Sequence, residues 1–316
     1  MDVDWFGPVK KGLSFSVEPG RWLPVFAVNA AFGCGFLWML SHLLQNLIIT
    51  DAGFPAYYMI FAFLMAVVWW LLRIWIDGAI VAQTHGGKNS VKPWHYSLKR
   101  YPSILGASLM VSVLSFVAYL IPFFGAALSI LVSVIFFFFL QQVVIGGEKA
   151  ESVPNVAWLI FTGNIIRKTF TTANVLIIGA ISAITSCAAS FVLFIHGPAA
   201  FALFSTSLFF IIFPAVCVLA FSRTGRAMFI SSAVSVLIAL ASAAPMLAVF
   251  LGMLEIASFN LPGMMIGLPE TLSLAMGPLT AACLILMLGI SVSRVFILKA
   301  QTEFYLQFSG KRRHGG

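Results

Sequence analysis

The sequence is built from long apolar runs, and of the connections between them only every second one contains Lys or Arg. We count about eight runs of roughly 20 residues, the length at which a helix crosses a hydrocarbon layer of about 30 Å. No basic residue lies in the connection after the first, third, fifth or seventh run. Because basic connections stay in the cytoplasm, this alternation predicts a multi-pass membrane protein with both termini cytoplasmic. The predicted spans are Trp22–Ile48, Phe54–Ala82, Tyr101–Ile121, Phe123–Ile145, Phe170–Ile195, Ala199–Phe221, Ala227–Ile256 and Thr271–Leu298.

The composition requires a lipid environment. Apolar residues make up 61% of the chain and charged residues only 9%, whereas soluble domains contain about 25% charged residues. A backbone surrounded by lipid must form its hydrogen bonds within its own segment, which a helix does. The runs are unbroken, as in Ser129–Val144, and do not show the alternating strands of a barrel. We therefore predict an all-α fold, a polytopic integral membrane helical bundle.

The formal net charge of +8 divides unequally between the two sides of the predicted membrane. The outer side holds only Asp51, Glu255 and Glu270, and the remaining charges give the cytoplasmic side +11. This asymmetry is typical of a protein inserted in a prokaryotic plasma membrane with an anionic inner leaflet. Basic connections that directly adjoin apolar runs are poorly placed to grip a duplex, so nucleic acid is not a predicted partner.

Two predicted cytoplasmic connections repeat one pattern. Gly86–Pro93 and Gly146–Pro154 each contain a Gly-Gly break, a Ser at a predicted N-cap and a Pro in the first helical turn. Each continues as a short helix with one apolar stripe, and the N-terminus carries a weaker copy of it. We interpret all three as amphipathic helices lying on the inner leaflet. The predicted lipid contacts are Lys10, Lys11, Arg21, Trp94, Lys99, Arg100, Trp158, Arg167 and Lys168.

The repeat predicts how the chain is organised. Residues 1–316 form a single transmembrane domain, in which an amphipathic helix followed by a hairpin is the repeated unit. We place these units at about 1–83, 84–146 and 147–222. A final hairpin covers 223–306, and a basic tail covers 307–316.

Several of these motifs also occur in a known group of proteins. The Gly-Gly turn, the Ser-Val helix, the entry Arg100-Tyr101, the segment Gly106–Leu109 and the closing segment Lys299–Leu306 resemble uncharacterised bacterial and archaeal multi-span families. These families are related to the membrane domain found beside glycerophosphodiester phosphodiesterases. The resemblance covers most of the chain and implies a helical fold without an agreed activity. The soluble phosphodiesterase domain and its chemistry have no counterpart in these residues.

Four polar residues within the predicted spans are candidates for an intramembrane site: Arg73, Asp77, Arg294 and Asn29. Arg73 and Asp77 lie four residues apart on one helical face, and a charged group in mid-membrane costs about 2.5–3.5 kcal/mol. They form either a structural pair or part of a relay or substrate anchor, and a contact between Asp77 and Arg294 is an alternative pairing. Asn29 indicates either a hydrogen bond between closely packed helices or a ligand site.

No pattern in the sequence predicts catalysis. The five histidines are scattered, and the sequence contains no HExxH, GxSxG or complete phosphate-binding loop. The four cysteines lie in predicted spans without a CxxC pair, which predicts neither a disulfide framework nor a zinc site. We therefore predict no catalytic residues, no cofactor and no metal, and we leave enzymatic activity open while favouring its absence.

The leading functional hypothesis is a membrane protein without a catalytic site that acts as a scaffold, a lipid-interacting factor or a subunit of a membrane assembly. Its expected partners are membrane lipids, particularly those of an anionic inner leaflet, and either another membrane protein or further copies of the chain. The alternative is a permease or channel for a small solute, in which the four candidate residues converge on one cavity. A lipid-modifying membrane enzyme is the weaker alternative. The apolar outer loop 258–270 is predicted either to re-enter the membrane or to lie on its surface.

Overall fold

The structure is a computed structural model. It describes the backbone of residues 3–50, 56–85, 92–121, 124–167, 169–192, 197–259 and 264–310, and the side chains of these residues except 44–50, 56, 250, 253–259 and 264–275. The described chain is helical and contains no strand. Its helices are α1 Phe6–Ser16, α2 Pro19–Thr50, α3 Ala56–His85, α4 Pro93–Tyr119, α5 Gly125–Ile135, α6 Phe139–Val144, α7 Val153–Gly163, α8 Thr172–Val192, α9 Pro198–Phe221, α10 Arg223–Phe259 and α11 Met264–Phe308.

Eight segments of the described chain are long and apolar enough to cross a membrane. Each overlaps one predicted span, with ends that differ by up to ten residues, so the prediction of an all-α, polytopic membrane protein is confirmed. Large apolar side chains project outward from these helices, including Phe63, 68% exposed, and Ile184, 69% exposed. Lipid removes that surface from water. The spans are Pro19–Leu43, Tyr57–His85, Pro93–Tyr119, Gly125–Val144, Thr172–Val192, Pro198–Phe221, Arg223–Val249 and Met276–Phe308.

The fourth span is interrupted, although the sequence predicted one unbroken helix. Between α5 and α6 the backbone leaves the α conformation at Phe136–Phe138. The amides of Phe137 and Phe139 there bond to carbonyls three residues back, Val134 and Phe136, which is the tighter spacing of a 3₁₀ turn. Three consecutive phenylalanines, Phe136, Phe137 and Phe138, are buried at this point. The interruption lets consecutive side chains all point into the interior, which a regular helix does not allow.

The predicted amphipathic segments differ in how they join the spans. α1 and α7 are separate short helices of 11 residues each. The segment after the second span is not separate, because Pro93–Tyr119 is one continuous helix of 27 residues. A helix of this length measures about 40 Å, which exceeds a hydrocarbon layer of about 30 Å. The helix is therefore longer than the hydrocarbon layer is thick, and the predicted interfacial segment and the span are continuous.

The predicted helix caps are only partly formed as expected. Ser152 occupies the N-cap of α7 and Pro154 lies in its first turn, but the Ser152 hydroxyl makes no capping hydrogen bond. It donates instead to Glu148 and to the carbonyl of Lys149. The N-cap of α4 is Lys92, also without a side-chain cap. Ser90, the residue that the repeat predicted as a cap, lies outside the described residues.

The chain divides into two compact units, each of which has its own interior. Unit 1 contains Met1–Pro8, Val81–Ser231 and Gln301–Gly316, and unit 2 contains Val9–Ile80 and Ser232–Ala300. In unit 1 the rings of Phe137, Phe138, Phe304 and Tyr305 form an aromatic core. Helices α8 and α9 of the same unit pack through small side chains, with a hydrogen bond of 2.8 Å between Ser205 and Ser190.

Two arginines of unit 1 hold chain reversals in place. Arg100 donates to the carbonyl oxygen of Gly147 at 2.9 Å, and Gly147 has a φ of 77°, a conformation that glycine adopts without strain. Arg226 donates to the carbonyl oxygens of Leu219 and Ala220 at 2.8 Å each. These carbonyls belong to the last turn of α9, where carbonyl oxygens lack N–H donors from their own helix and positive charge is favoured.

Candidate functional site

A short stretch of α11 makes polar contacts with the other spans of unit 2. Ser291 accepts a hydrogen bond from Asn29 on α2 at 3.0 Å. Ser293 donates to the carbonyl of Ser235 on α10 at 2.8 Å. Arg294 donates to Asp77 on α3. Within four residues, α11 therefore contacts each of the other three spans of unit 2. The adjacent Gly289 allows this close packing, because a Cβ there would overlap the side chain of Ser242.

Arg294 and Asp77 form an ion pair between two spans. The Arg294 Nη2 lies 2.6 Å from Asp77 Oδ2, and its Nε lies 3.1 Å and 3.2 Å from the two carboxylate oxygens. Asp77 is only 4% exposed. Bidentate geometry of this kind aligns both donors of the guanidinium fork and is the strongest form of the interaction. The alternative pairing between Asp77 and Arg294 is therefore the one that forms, and the carboxylate is already occupied.

The guanidinium of Arg73 has no counterion among the described residues. Its guanidinium carbon lies 4.8 Å from the ring centroid of Trp69, one helical turn away, in a cation–π contact. Among the described residues, no carboxylate lies within ion-pairing distance of the Arg73 guanidinium. Arg73 remains within electrostatic range of Asp77 and Arg294, and these three residues together carry a net charge of +1.

Asn29 is held in one orientation by two hydrogen bonds. Its amide nitrogen donates to Ser291 at 3.0 Å, and its carbonyl oxygen accepts from the indole N–H of Trp69 at 3.1 Å. Ser291 in turn donates to the carbonyl of Met287 at 2.6 Å, which leaves its oxygen free to accept from Asn29. The Asn29 carbonyl therefore keeps one of its two lone pairs, and its NH₂ group retains a second N–H.

Asn29 and Arg73 line one cavity of about 400 Å³ within unit 2, a volume typical of small-molecule sites. Its apolar wall includes Phe32, Phe36, Ala62, Met65, Ala66 and Met287. Gly33 also belongs to the wall, and a Cβ there would lie 3.2 Å from the Met287 methyl group. Asp77 and Arg294 are not among the lining residues. Of the four candidates, two therefore face the cavity and two pair with each other.

Sequence reasoning did not select the rest of this site. Trp69 contributes both the hydrogen bond to Asn29 and the ring beneath Arg73. Its position four residues before Arg73 was a usable signal, because side chains at that spacing meet on a helix. Phe32, Met65 and Met287 carried no comparable signal, since apolar residues in a membrane span face lipid as often as they face a cavity.

No family model, no curated protein and no solved structure matches the chain. The geometry of the side chains is therefore what indicates a function. Among the described residues, no group of three or more His, Cys, Asp or Glu side chains is placed to hold a metal ion, and the cavity of unit 2 offers instead a guanidinium, an amide N–H and an apolar wall.

The predicted interfacial cations lie in two different environments. The side chains of Lys10, Lys11, Lys99 and Arg167 are exposed. Arg21 contacts residues just before its own helix. It forms an ion pair with Glu18 at 3.1 Å, and its guanidinium carbon lies 4.8 Å from the centroid of the Phe15 ring. Two predictions, the lipid contact of Lys168 and the re-entry of loop 258–270, concern positions whose side chains are not described.

The remaining interfacial candidates are aromatic residues and one internal arginine. Trp158 on α7 is 54% exposed and lies against Phe161, with ring centroids 5.9 Å apart. Trp94, in the first turn of α4, is half-buried. Arg100 is half-buried as well and donates a hydrogen bond to the carbonyl of Gly147. At least one of its N–H groups therefore stabilises the fold.

Proposed function

We propose that this multi-pass protein resides in a prokaryotic plasma membrane with both termini in the cytoplasm, and that it is a lipid-interacting factor which binds an amphiphile in the cavity of unit 2. The observation that carries the proposal is a guanidinium, Arg73, without a counterion among the described residues, on an otherwise apolar cavity. A membrane helix that retains a charge at this position uses it for function or pairs it, and the nearest carboxylate is taken by Arg294.

The position of Arg73 along its helix supports this proposal. It lies two residues past the midpoint of the span Tyr57–His85, or about 3 Å along the helix axis. An arginine near a span end reaches the interface by extending its side chain, but one near the middle has to travel much farther. A ligand that brings an acceptor to this depth would offset the cost of keeping the charge there.

Lipid contact at the membrane surface is part of the same proposal. α1 and α7 expose apolar side chains, including Phe6 and Trp158, close in sequence to the exposed cations Lys10, Lys11 and Lys149. This combination favours an anionic bilayer surface. The relationship to the families beside the phosphodiesterase membrane domain is likewise proposed, on the Gly-Gly and basic-aromatic motifs alone.

Binding to lipid nanodiscs containing the full chain tests the proposal. Ala66→Phe places a ring in the cavity wall, and we expect it to abolish saturable binding of a radiolabelled twelve-carbon amphiphile. Ala31→Phe is the matched control, because Ala31 is an exposed residue of α2 outside the lining, and we expect it to bind normally. Equal binding by both variants would show that the amphiphile does not occupy this cavity.

A permease is the second candidate function. It is favoured by the net charge of +1 on Arg73, Asp77 and Arg294 close to a cavity in the middle of the spans. A permease would move a small anion across sealed proteoliposomes, and Ala66→Phe would block the movement. If the protein binds the amphiphile while the proteoliposomes show no flux of amphiphile or of small organic anions, the lipid-interacting factor is retained and the permease is rejected.

A further inference from the structure

We infer that the ligand of the unit 2 cavity is a single-chain amphiphile with one acidic end, of which a monocarboxylate on an alkyl chain is the simplest form, held by Arg73 and Asn29. This inference rests on the proposed function, since it names the chemical class of the molecule that the cavity binds. It follows from three properties of the lining: the direction of its hydrogen bonds, its charge and its length.

The polar side-chain groups of the described lining have more donors than acceptors to spare. The Asn29 carbonyl accepts from Trp69, and the Trp69 indole N–H is used in the same bond. What remains is one lone pair and one N–H of Asn29 together with the N–H groups of Arg73, and a guanidinium has no acceptor. The described lining residues contain no hydroxyl and no carboxylate. An ammonium head group, which only donates, would meet one lone pair among these donors, whereas a head group that only accepts is satisfied.

The charge at this site matches one acidic group. Asp77 and Arg294 neutralise each other at 2.6 Å, which leaves the single positive charge of Arg73. In a low-dielectric environment an uncompensated net charge is costly whether it is positive or negative. A monoanion brings the sum to zero, a dianion leaves one negative charge, and a zwitterion leaves the positive charge unchanged. A carboxylate also fits the planar fork of a guanidinium through two parallel hydrogen bonds.

The apolar part of the cavity extends along the helices away from Arg73. Asn29 lies beside Trp69, and a Cβ on Gly35 would lie 3.0 Å from Met65, so α2 and α3 run antiparallel. The lining therefore extends from Asn29 and Arg73 at one end to Phe36 and Ala62 at the other. Separations of seven residues along α2 and eleven along α3 correspond to about 10 and 16 Å. A chain fits this length when its acidic end is at Arg73.

The open end of the cavity faces the surrounding lipid. Phe36 is 50% exposed and Phe63, next to Ala62, is 68% exposed. The apolar end of the ligand thus lies where the unit meets hydrocarbon, and the acidic end lies deep at Arg73. An alkyl chain costs nothing to leave in that environment, because lipid tails are equally apolar. Selectivity for the acid therefore comes from Arg73 and Asn29.

The inference is tested by comparing head groups on one chain length. The full-length protein is placed in nanodiscs of zwitterionic lipid, and binding of dodecanoate, methyl dodecanoate and dodecyl phosphate is measured. We expect dodecanoate to bind at least about tenfold more tightly than its methyl ester, since only the acid pairs with Arg73. Arg73→Gln is expected to remove this preference and to leave the affinity for the ester within about twofold. Arg21→Gln, the matched control outside the cavity, is expected to preserve it.

Arg73→Lys keeps the charge but loses the planar fork, so we expect it to restore part of the preference for the acid. Each variant is first shown to elute as the wild type does on size exclusion. Equal binding of acid and ester by the wild type overturns the inference, while saturable binding abolished by Ala66→Phe keeps the proposed function. Binding of neither molecule overturns both. If Arg73→Gln and Arg21→Gln lose the preference for the acid equally, the preference comes from surface charge and the inference is overturned. If dodecyl phosphate binds more tightly than dodecanoate, the assignment of a carboxylate is overturned.

Discussion

At the scale of single residues, the two membrane arginines of unit 2 differ because, among the described side chains, Asp77 is the one carboxylate close to both of them. Asp77 lies on the same helix as Arg73, four residues later, but it bonds to Arg294 on α11. A guanidinium arriving from a facing helix can align its fork with the carboxylate, and this geometry gives two parallel hydrogen bonds. The competition leaves Arg73 directed to the cavity.

Asp77→Asn should destabilise the protein by about 3 kcal/mol, because it leaves the charge of Arg294 without compensation in an apolar interior. The loss is measured by reversible unfolding in mixed micelles. Glu18→Gln is the control, since it breaks the exposed pair with Arg21 and should cost less than about 1 kcal/mol. The double variant Asp77→Asn with Arg294→Met should recover most of the stability. A loss no larger than that of Glu18→Gln would contradict the structural role of the pair.

Asn29→Ala should cost about 1–3 kcal/mol, because it leaves the indole N–H of Trp69 buried without its acceptor. The double variant with Trp69→Phe removes both partners and should be less destabilised than the sum of the two single variants. Unfolding of the four proteins under one condition gives the coupling energy. Strict additivity of the two single losses would argue against the hydrogen bond of 3.1 Å.

Single residues also show how much of the site could be predicted from the sequence. The sequence selected Asn29, Arg73, Asp77 and Arg294 because polar groups within apolar runs are expensive, and all four have specific polar contacts in the structure. It could not assign the partners, because the choice of Arg294 over Arg73 depends on which helices are neighbours. The apolar cavity lining had no signal in the sequence at all.

At the scale of elements, the spans could be predicted from run length because hydrocarbon thickness sets the length of a helix. The interruption at Phe136–Phe138 could not be predicted, since neither Gly nor Pro occurs there. It coincides with aromatic packing, because the Phe138 ring lies tilted against Tyr305 and edge-to-face against Phe308 from another part of the chain. The continuity of α4 was missed for a different reason, because the basic residues Lys99 and Arg100 indicated a boundary between an interfacial helix and a span, whereas both lie within one helix.

Gly147→Ala should destabilise the turn after α6 by about 1–2 kcal/mol, because its φ of 77° is strained for any residue with a Cβ. Gly163→Ala is the matched control. Gly163 is the last residue of α7, and a Cβ there meets nothing within 4 Å, so its replacement should change stability by less than about 1 kcal/mol. The two variants are compared by thermal unfolding in one detergent. A larger loss for Gly163→Ala would reverse the expected order.

At the scale of the whole molecule, the charge distribution makes a prediction about sidedness. In a cysteine-free background, Lys149→Cys should react with an impermeant maleimide only after the membrane is opened, because basic connections stay in the cytoplasm. Phe124→Cys, at the connection between the third and fourth spans, should react in intact cells. Both side chains are exposed, so accessibility within the protein does not separate them. Labelling of Lys149→Cys in intact cells would reverse the proposed orientation.

The indole of Trp69 has one further consequence. It donates its N–H to Asn29 and lies under the guanidinium of Arg73, so the electric field across its ring changes when an anion arrives at that guanidinium. Because indole emission responds to such fields, a chain in which the other seven of its eight tryptophans are replaced by phenylalanine would contain an intrinsic fluorophore at the cavity. Its emission wavelength would then report occupancy directly, without any attached dye.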